Sequence, residues 1–420
     1  MLVLIRQAKI VDTRSDFHDK VVDLLIEDGS IRSIAPSIKG KADTVIEAEG
    51  LHLSPGWIDV FADYREPGYE QKETIMTGLD AAAAGGFTNV LLGPNTNPAV
   101  SSKSIVEFVA QRAARHIVDL HPLGAATQDI EGKVLSEMLD MRSTGAVAFT
   151  DGWKPIQNAN LMLKALEYIK AFDGVLLQIP VEASLSAGGL MHEGPASTRL
   201  GMAGIPEMAE TMLVHRDIEL VRYTNSRLHI TGVSSAASVE MIRKAKAEGL
   251  AITCSVTPYH LALTDEALSS YSSMYKVTPP IRSEADRQAL IAGLKDGTID
   301  CIASHHRPQE WDAKTKEFEY ASDGMNIQEL AFNILWRAVG KEIGIARLVE
   351  ALAITPANIF NINREPIAEG GKAAFTLFTT AGTYHTDRMK SLSRNNPFIG
   401  KELPGKVIGI INNTHHYLNS

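Results

Sequence analysis

Short apolar runs recur through the middle of the chain, and each of them ends in polar residues. Most are followed by a segment with helical spacing, such as Ser102–Ala114 or Asn158–Ala171. In Ala236–Ala247, apolar residues fall on one helical face and Lys and Arg on the other. We count eight runs: Trp57–Asp63, Asn89–Asn95, Leu120–Ala126, Ala146–Asp151, Gly174–Glu182, Arg227–Ser234, Ala251–His260 and Asp300–His306. Eight buried strands alternating with helices predict an α/β fold, a (β/α)8 barrel.

Both ends of the chain have a different pattern, in which short strand-like segments are separated by turn residues. These segments are Leu2–Ile5, Lys9–Val11, Val21–Glu27, Ile31–Ile34, Ala374–Phe378 and Lys406–Ile411. Because the two ends share this character, we expect residues 1–52 and 366–420 to form one small β-sandwich domain. The barrel, residues 53–365, is then an insertion between its two halves.

Composition and charge narrow the class of protein. The 420 residues are 45% hydrophobic and 22% charged, as in ordinary globular proteins. The formal net charge of −9 argues against a nucleic-acid partner, which requires a basic face. Cys254 and Cys301 are the only cysteines, which excludes a disulfide scaffold and a cysteine-rich zinc site. No apolar stretch reaches the roughly 18 residues that span a bilayer, so we expect a cytoplasmic protein without membrane contact.

In such barrels the chemistry lies where the strands end, and the predicted strand ends carry recognisable motifs. They are DVFADYREPG (59–68), GPNTNP (93–98), TPYHL (257–261), KVTPPIR (276–282) and ASHHRP (303–308), with NNPF (395–398) near the C-terminus. In this order the motifs resemble those of dihydroorotases, of the amidohydrolase superfamily. The resemblance runs nearly end to end, and it implies a metal-dependent TIM barrel of amidohydrolase type flanked by a small β domain.

The sequence departs from the family at the metal-binding positions that the resemblance implies. The family has His-x-His after the first strand, a carboxylate or carboxylated lysine on the fourth, histidines on the fifth and sixth, and an aspartate on the eighth. The corresponding residues here are Phe61, Asp63, Asp151, Pro180, Gly232 and His305. Only Asp151 is unchanged. The family's metal-dependent hydrolysis should therefore be absent, and we expect no metal and no other cofactor.

Zinc needs three or four nitrogen, oxygen or sulfur donors, and the side chains of Phe61 and Gly232 offer none. Asp63, Asp151 and His305 remain as an alternative, a rearranged site for one zinc ion with water in its open positions. In another interpretation, Asp63 and His305 pair with each other and with Asp151.

The resemblance also implies a substrate-binding set. Arg65 and Asn95 match residues that hold the substrate carboxylate in the family, and His306 matches a histidine that approaches it. The family's asparagine before Pro-Pro is Thr278 here. A structural salt bridge for Arg65 and a buried core position for His306 are the alternatives.

Three functions remain open. The first is a dihydroorotase-like protein of pyrimidine biosynthesis without catalytic activity. It would act as a structural or regulatory partner, of aspartate transcarbamoylase by resemblance, and would form a homo-oligomer. The second is an active dihydroorotase or another cyclic amidohydrolase that uses the rearranged metal site. The third is a sensor that binds a small carboxylate ligand through Arg65 and Asn95.

Overall fold

The computed structural model describes residues 1–386 and 389–419, and its centre is a barrel of eight parallel strands. In chain order, barrel strands 1 to 8 are Trp57–Ala62, Phe87–Leu92, Asp119–Gly124, Ala148–Phe149, Val175–Gln178, Arg227–Thr231, Ile252–Val256 and Cys301–Ile302. Each pairs with the next. Just beyond strands 8 and 1, the His305 amide donates to the Phe61 carbonyl (3.1 Å) and the Asp63 amide to the His306 carbonyl (2.9 Å). These bonds close the barrel, so the predicted fold class is confirmed.

Burial explains why these segments read as continuous apolar runs. All six residues of Trp57–Ala62 and of Phe87–Leu92 are buried, as expected of strands covered on both faces. Successive side chains point to opposite faces of a strand. Accordingly, Leu91 and Leu177 belong to one apolar cluster and Leu92 to another. The first fills the barrel interior, and the second packs between the strands and the helices.

The helices surround the barrel and begin at polar caps. Thr74, Asn158, Ser235 and Ser283 each accept a hydrogen bond from an amide in the first turn of the helix that follows. The helices are Ile75–Ala84, Lys103–Ala113, Met138–Ser143, Ala159–Lys170, Ala183–Ser186, Pro195–Leu200, Met208–Thr224, Ala236–Ala247, Pro258–Ala262, Glu284–Asp296, Trp311–Lys314, Ala331–Ile343, Ile345–Val349 and Thr355–Ile359. A π-helical turn, Glu350–Ile354, joins the last two.

Strands from the two ends of the chain meet in one eight-stranded sheet beside the barrel. Its strands are Leu2–Ile10, Val21–Glu27, Ser30–Ala35, Thr44–Ile46, Leu51–Pro55, Ala374–His385, Glu402–Asn412 and His415–Leu418. The junction is the antiparallel pair of Leu51–Pro55 with Ala374–His385. A short parallel pair, Met191–His192 with Gly204–Ile205, lies apart from both large sheets. None of the helices within the described ranges is long and apolar enough to cross a membrane.

Candidate functional site

The residues singled out from the sequence lie at the carboxyl ends of the barrel strands. Asp63 follows strand 1, Asn95 strand 2, Asp151 strand 4, Gly232 strand 6 and His305 strand 8. This end of the barrel, which we call the mouth, is therefore the place to look for chemistry.

Asp63 is fully buried, and neighbouring side chains occupy its carboxylate. Arg65 forms an ion pair with it (Nη1 to Oδ2, 3.2 Å) and also donates its backbone amide to Oδ1 at 3.1 Å. The indole Nε1 of Trp153 donates to Oδ2 at 3.0 Å. Arg65 reaches this position with φ of +63°, a left-handed conformation that is uncommon for a residue with a side chain. The salt bridge considered for Arg65 is thus present, with Asp63 as its partner.

His305 is held as a neutral ring inside the mouth. Its Nε2 lies 2.8 Å from the Thr231 hydroxyl, and its φ is +48°. Burial, reinforced by the neighbouring imidazoles of His260 and His229, keeps the pKa of His305 well below the usual histidine range. The buried Nδ1 has no hydrogen-bond partner within the described part of the chain.

Three aromatic rings pack together at the centre of the mouth; we call Phe61, Trp153 and His305 the ring cluster. Their centroids are 5.1 to 5.3 Å apart, and the Trp153 ring meets the other two edge to face. Gly232 borders the cluster so closely that a Cβ atom there would lie 2.4 Å from His305 Cε1. The imidazole at 305 therefore occupies the space that a side chain at 232 would need.

Asp151 is buried on the other side of the ring cluster. It accepts hydrogen bonds from the Thr127 amide (2.9 Å) and the Thr127 hydroxyl (2.5 Å). Burial raises the pKa of Asp151 to about 6. The proposed pairing of Asp63 and His305 with each other and with Asp151 is not seen, because each has a different partner: Arg65, Thr231 and Thr127, respectively.

These residues do not fit the zinc centre that the family resemblance implies. Phe61, Pro180 and Gly232 carry no side-chain donor, and Asp63 already forms an ion pair with a guanidinium. Among the described residues, no group of three His, Cys, Asp or Glu side chains is arranged to hold a metal ion. Zinc requires such a set at about 2 Å, so the residues of the mouth do not suit metal-dependent hydrolysis.

Asn95 and His306, the other predicted substrate-binding residues, differ in position. Asn95 lines the mouth, but both ends of its amide are engaged: Nδ2 donates to the Asp151 carbonyl (3.0 Å), and Oδ1 accepts from the Trp153 amide (3.1 Å). His306 faces away from the mouth. It is fully buried, packs edge to face on Tyr64, and its Nε2 lies 3.5 Å from a Glu73 carboxylate oxygen. That environment is the core position considered as the alternative.

Above the ring cluster lies a cavity of about 430 Å³, which we call the mouth cavity. It is lined by Arg65, Asn95 and several residues that sequence reasoning missed, among them Lys72, Trp153, Lys154, Arg307 and Gln309. One signal was available: Arg307 stands where the family segment Asp-His-Ala-Pro has alanine. Its guanidinium lies over the Trp153 ring, 4.3 Å from the centroid.

Comparisons with known proteins show which family this chain is similar to. Residues 50–238 match the family described as Dihydro-orotase-like. A protein named Dihydroorotase from Syntrophus aciditrophicus is 39% identical over 414 residues, covering 97% of both chains. Another of that name, from Acetivibrio thermocellus, is 38% identical over 410 residues, or 96% of each chain.

Solved structures agree on the fold. L-Hydantoinase (dihydropyrimidinase) from Arthrobacter aurescens superimposes with a TM-score of 0.87 at 21% identity, covering 99% of this chain and 96% of that one. A D-hydantoinase gives 0.83 at 20% identity, covering 100% and 96%.

Proposed function

The chain belongs to the dihydroorotase family, and we propose that it is a member that keeps the family's barrel without its metal-dependent cyclic-amide hydrolase activity. It then serves pyrimidine biosynthesis as a structural or regulatory partner of another protein, and forms a homo-oligomer. By family resemblance the partner is aspartate transcarbamoylase.

One observation carries the proposal: the ring cluster of Phe61, Trp153 and His305 occupies the mouth where the family's donors would stand. Hydrolysis of a cyclic amide at neutral pH needs an activated water, and a bound metal provides one by lowering the pKa of that water to about 7. Neutral, buried His305 hydrogen-bonds to Thr231, and Asp63 is paired with Arg65. His305 is a weak base, because burial keeps its pKa well below the usual histidine range, and the Asp63 carboxylate is held by the Arg65 guanidinium.

The test combines metal analysis with an assay. The purified protein and the Syntrophus aciditrophicus relative, prepared in the same way, are analysed for zinc and for cyclisation of carbamoyl aspartate. We expect far less than one zinc per chain and no cyclisation by this protein. Stoichiometric zinc together with turnover would refute the proposal.

The partner role has its own measurement. Mixing the protein with aspartate transcarbamoylase of the same organism should give a complex on size-exclusion chromatography with light scattering, and the protein alone should elute as an oligomer. Separate elution of the two at micromolar concentration would remove this partner from the proposal and leave the prediction about zinc intact.

The second candidate is an active dihydroorotase, or another cyclic amidohydrolase, that uses a rearranged zinc site at Asp63, Asp151 and His305. The names of the relatives favour it, since both are called Dihydroorotase. If this candidate is right, turnover should disappear in the Asp151→Asn variant and when a chelator is added. A crystal should also show an anomalous scattering peak between the three side chains. This candidate also requires Asp63 to exchange its ion pair with Arg65 for a metal bond.

A further inference from the structure

The mouth cavity is lined by cationic side chains that lie outside the substrate-binding set implied by the family resemblance. Within the described part of the chain, the Arg307 side chain makes no hydrogen bond or ion pair, and its only polar contact is the stack on Trp153. Its Nε is buried and unpartnered, as is the Nε of Arg65, which is itself only 8% exposed. Both arginines line the mouth cavity, and each has one buried guanidinium N–H without an acceptor among the described residues.

A buried guanidinium without an anion is costly. Arginine stays protonated in proteins, and an unpaired charge in a desolvated place is strongly unfavourable. Burial, together with the nearby Arg65, lowers the pKa of Arg307 to about 10, although the carboxylates of Asp323 and Asp63 act in the opposite direction. Neither carboxylate forms an ion pair with Arg307 within the described residues: Asp63 is paired with Arg65, and Asp323 accepts from Thr278. The stack on Trp153 offsets part of this penalty.

The charges on the wall of the mouth cavity show which groups are free. Arg65 is neutralised by Asp63, and Lys72 lies 3.3 Å from Glu310. Of the two remaining carboxylates, Asp323 accepts from the Thr278 hydroxyl (2.6 Å) and Asp129 from the Ser101 hydroxyl (3.2 Å). Two cations in the cavity wall, Arg307 and Lys154, have no ion-pair partner within the described residues.

We propose that the mouth cavity binds a small molecule through a carboxylate or phosphate group, held by Arg307 and Lys154 above the Trp153 ring. A guanidinium edge makes charge-assisted, often paired, hydrogen bonds to either kind of oxyanion. The site differs from the set implied by family resemblance, because Asn95 already bonds to the Asp151 carbonyl and the Trp153 amide, and Arg65 forms an ion pair with Asp63. It rests on the proposed function in one respect: Trp153, which lines the cavity, belongs to the ring cluster that stands in place of a metal centre.

The probes are inorganic phosphate, pyrophosphate and malonate, each compared with sodium chloride at equal ionic strength. Isothermal titration and thermal unfolding of the full chain should show saturable binding of at least one of them. Binding of the phosphates alone identifies a phosphate-bearing ligand, and binding of malonate alone a carboxylate-bearing one; either outcome supports the site. If none of the probes acts differently from sodium chloride, the proposal is overturned.

Variants assign the binding groups. Arg307→Ala should weaken binding at least tenfold, and Arg307→Lys, which keeps the charge without the fork, should give an intermediate loss. Lys154→Ala should weaken binding several-fold, whereas Lys244→Ala, which removes an exposed lysine on helix Ala236–Ala247, should leave it unchanged. Binding that survives both Arg307 variants unchanged would overturn the proposal. Zinc content and turnover are measured separately, so failure of this site and failure of the proposed function are distinguishable.

Discussion

Replacing Gly232 by alanine tests the packing on which the functional proposal depends. Gly232 has φ of +79°, a conformation that disfavours a side chain by about 1–2 kcal/mol. The new methyl group would also lie 2.4 Å from His305 Cε1, and relieving such overpacking in a tight core costs about 1–3 kcal/mol. We therefore expect Gly232→Ala to lower the free energy of unfolding by about 2–5 kcal/mol.

A double-mutant cycle separates the two contributions. In the His305→Ala background the ring is gone, so the steric part should vanish and only the backbone part, about 1–2 kcal/mol, should remain. Urea unfolding of the four proteins, followed by circular dichroism, gives the free energies from midpoints and slopes. If Gly232→Ala has the same effect in both backgrounds, the imidazole does not occupy the space beside residue 232. The crowding at residue 232, which is the main structural evidence against a metal centre, would then be disproved.

Two further substitutions probe buried carboxylates outside the ring cluster. Burial raises the pKa of Glu329 to about 7, although Tyr384 and the Lys390 amide donate to it; the folded state thus holds a proton more tightly than the unfolded one. The free energy of unfolding should fall by about 3 kcal/mol as pH rises from about 4.5 to about 7. Glu329→Gln should remove this fall in urea unfolding measured at a series of pH values. A variant with the same pH profile as the parent protein would show that Glu329 is not the titrating group. Arg282 and Glu210 form an almost fully buried ion pair (3.2 Å). Glu210→Ala leaves the guanidinium without its partner and should lower the free energy of unfolding by about 3–5 kcal/mol. A decrease of less than about 1 kcal/mol would show that the pair is hydrated.

The barrel was predictable because its signal is local and repeated. The run Arg227–Ser234 contains strand Arg227–Thr231. The run Asn89–Asn95 overlaps strand Phe87–Leu92, which begins two residues earlier and ends three residues earlier. Strands 4 and 8 are shorter than their runs, because Ala146–Asp151 and Asp300–His306 include the polar turns that build the mouth. Apolar character marks burial, and these turns are buried too. The sequence pattern therefore locates strands better than it locates their ends.

The arrangement of the candidate site was less predictable, because partners come from different strands. The sequence places Asp63 at the mouth, but only the fold brings Trp153, 90 residues away, to its carboxylate. His306 follows His305 directly, yet the two rings point to opposite sides of the backbone, and Glu73, which His306 faces, lies in a connecting segment. Arg307 lies within the motif ASHHRP (303–308), but its stack on Trp153 arises only from the fold.

The close contact between Gly232 and His305 also restricts how this chain can change over evolutionary time. A histidine at 232 introduced alone would collide with the imidazole at 305. An aspartate at 305 introduced alone would bury a carboxylate against Phe61 and Trp153, which is unfavourable. We therefore expect each single replacement to lower stability and to leave the donor set incomplete. The packing of the mouth therefore disfavours a stepwise change from this arrangement to the family's metal-binding arrangement.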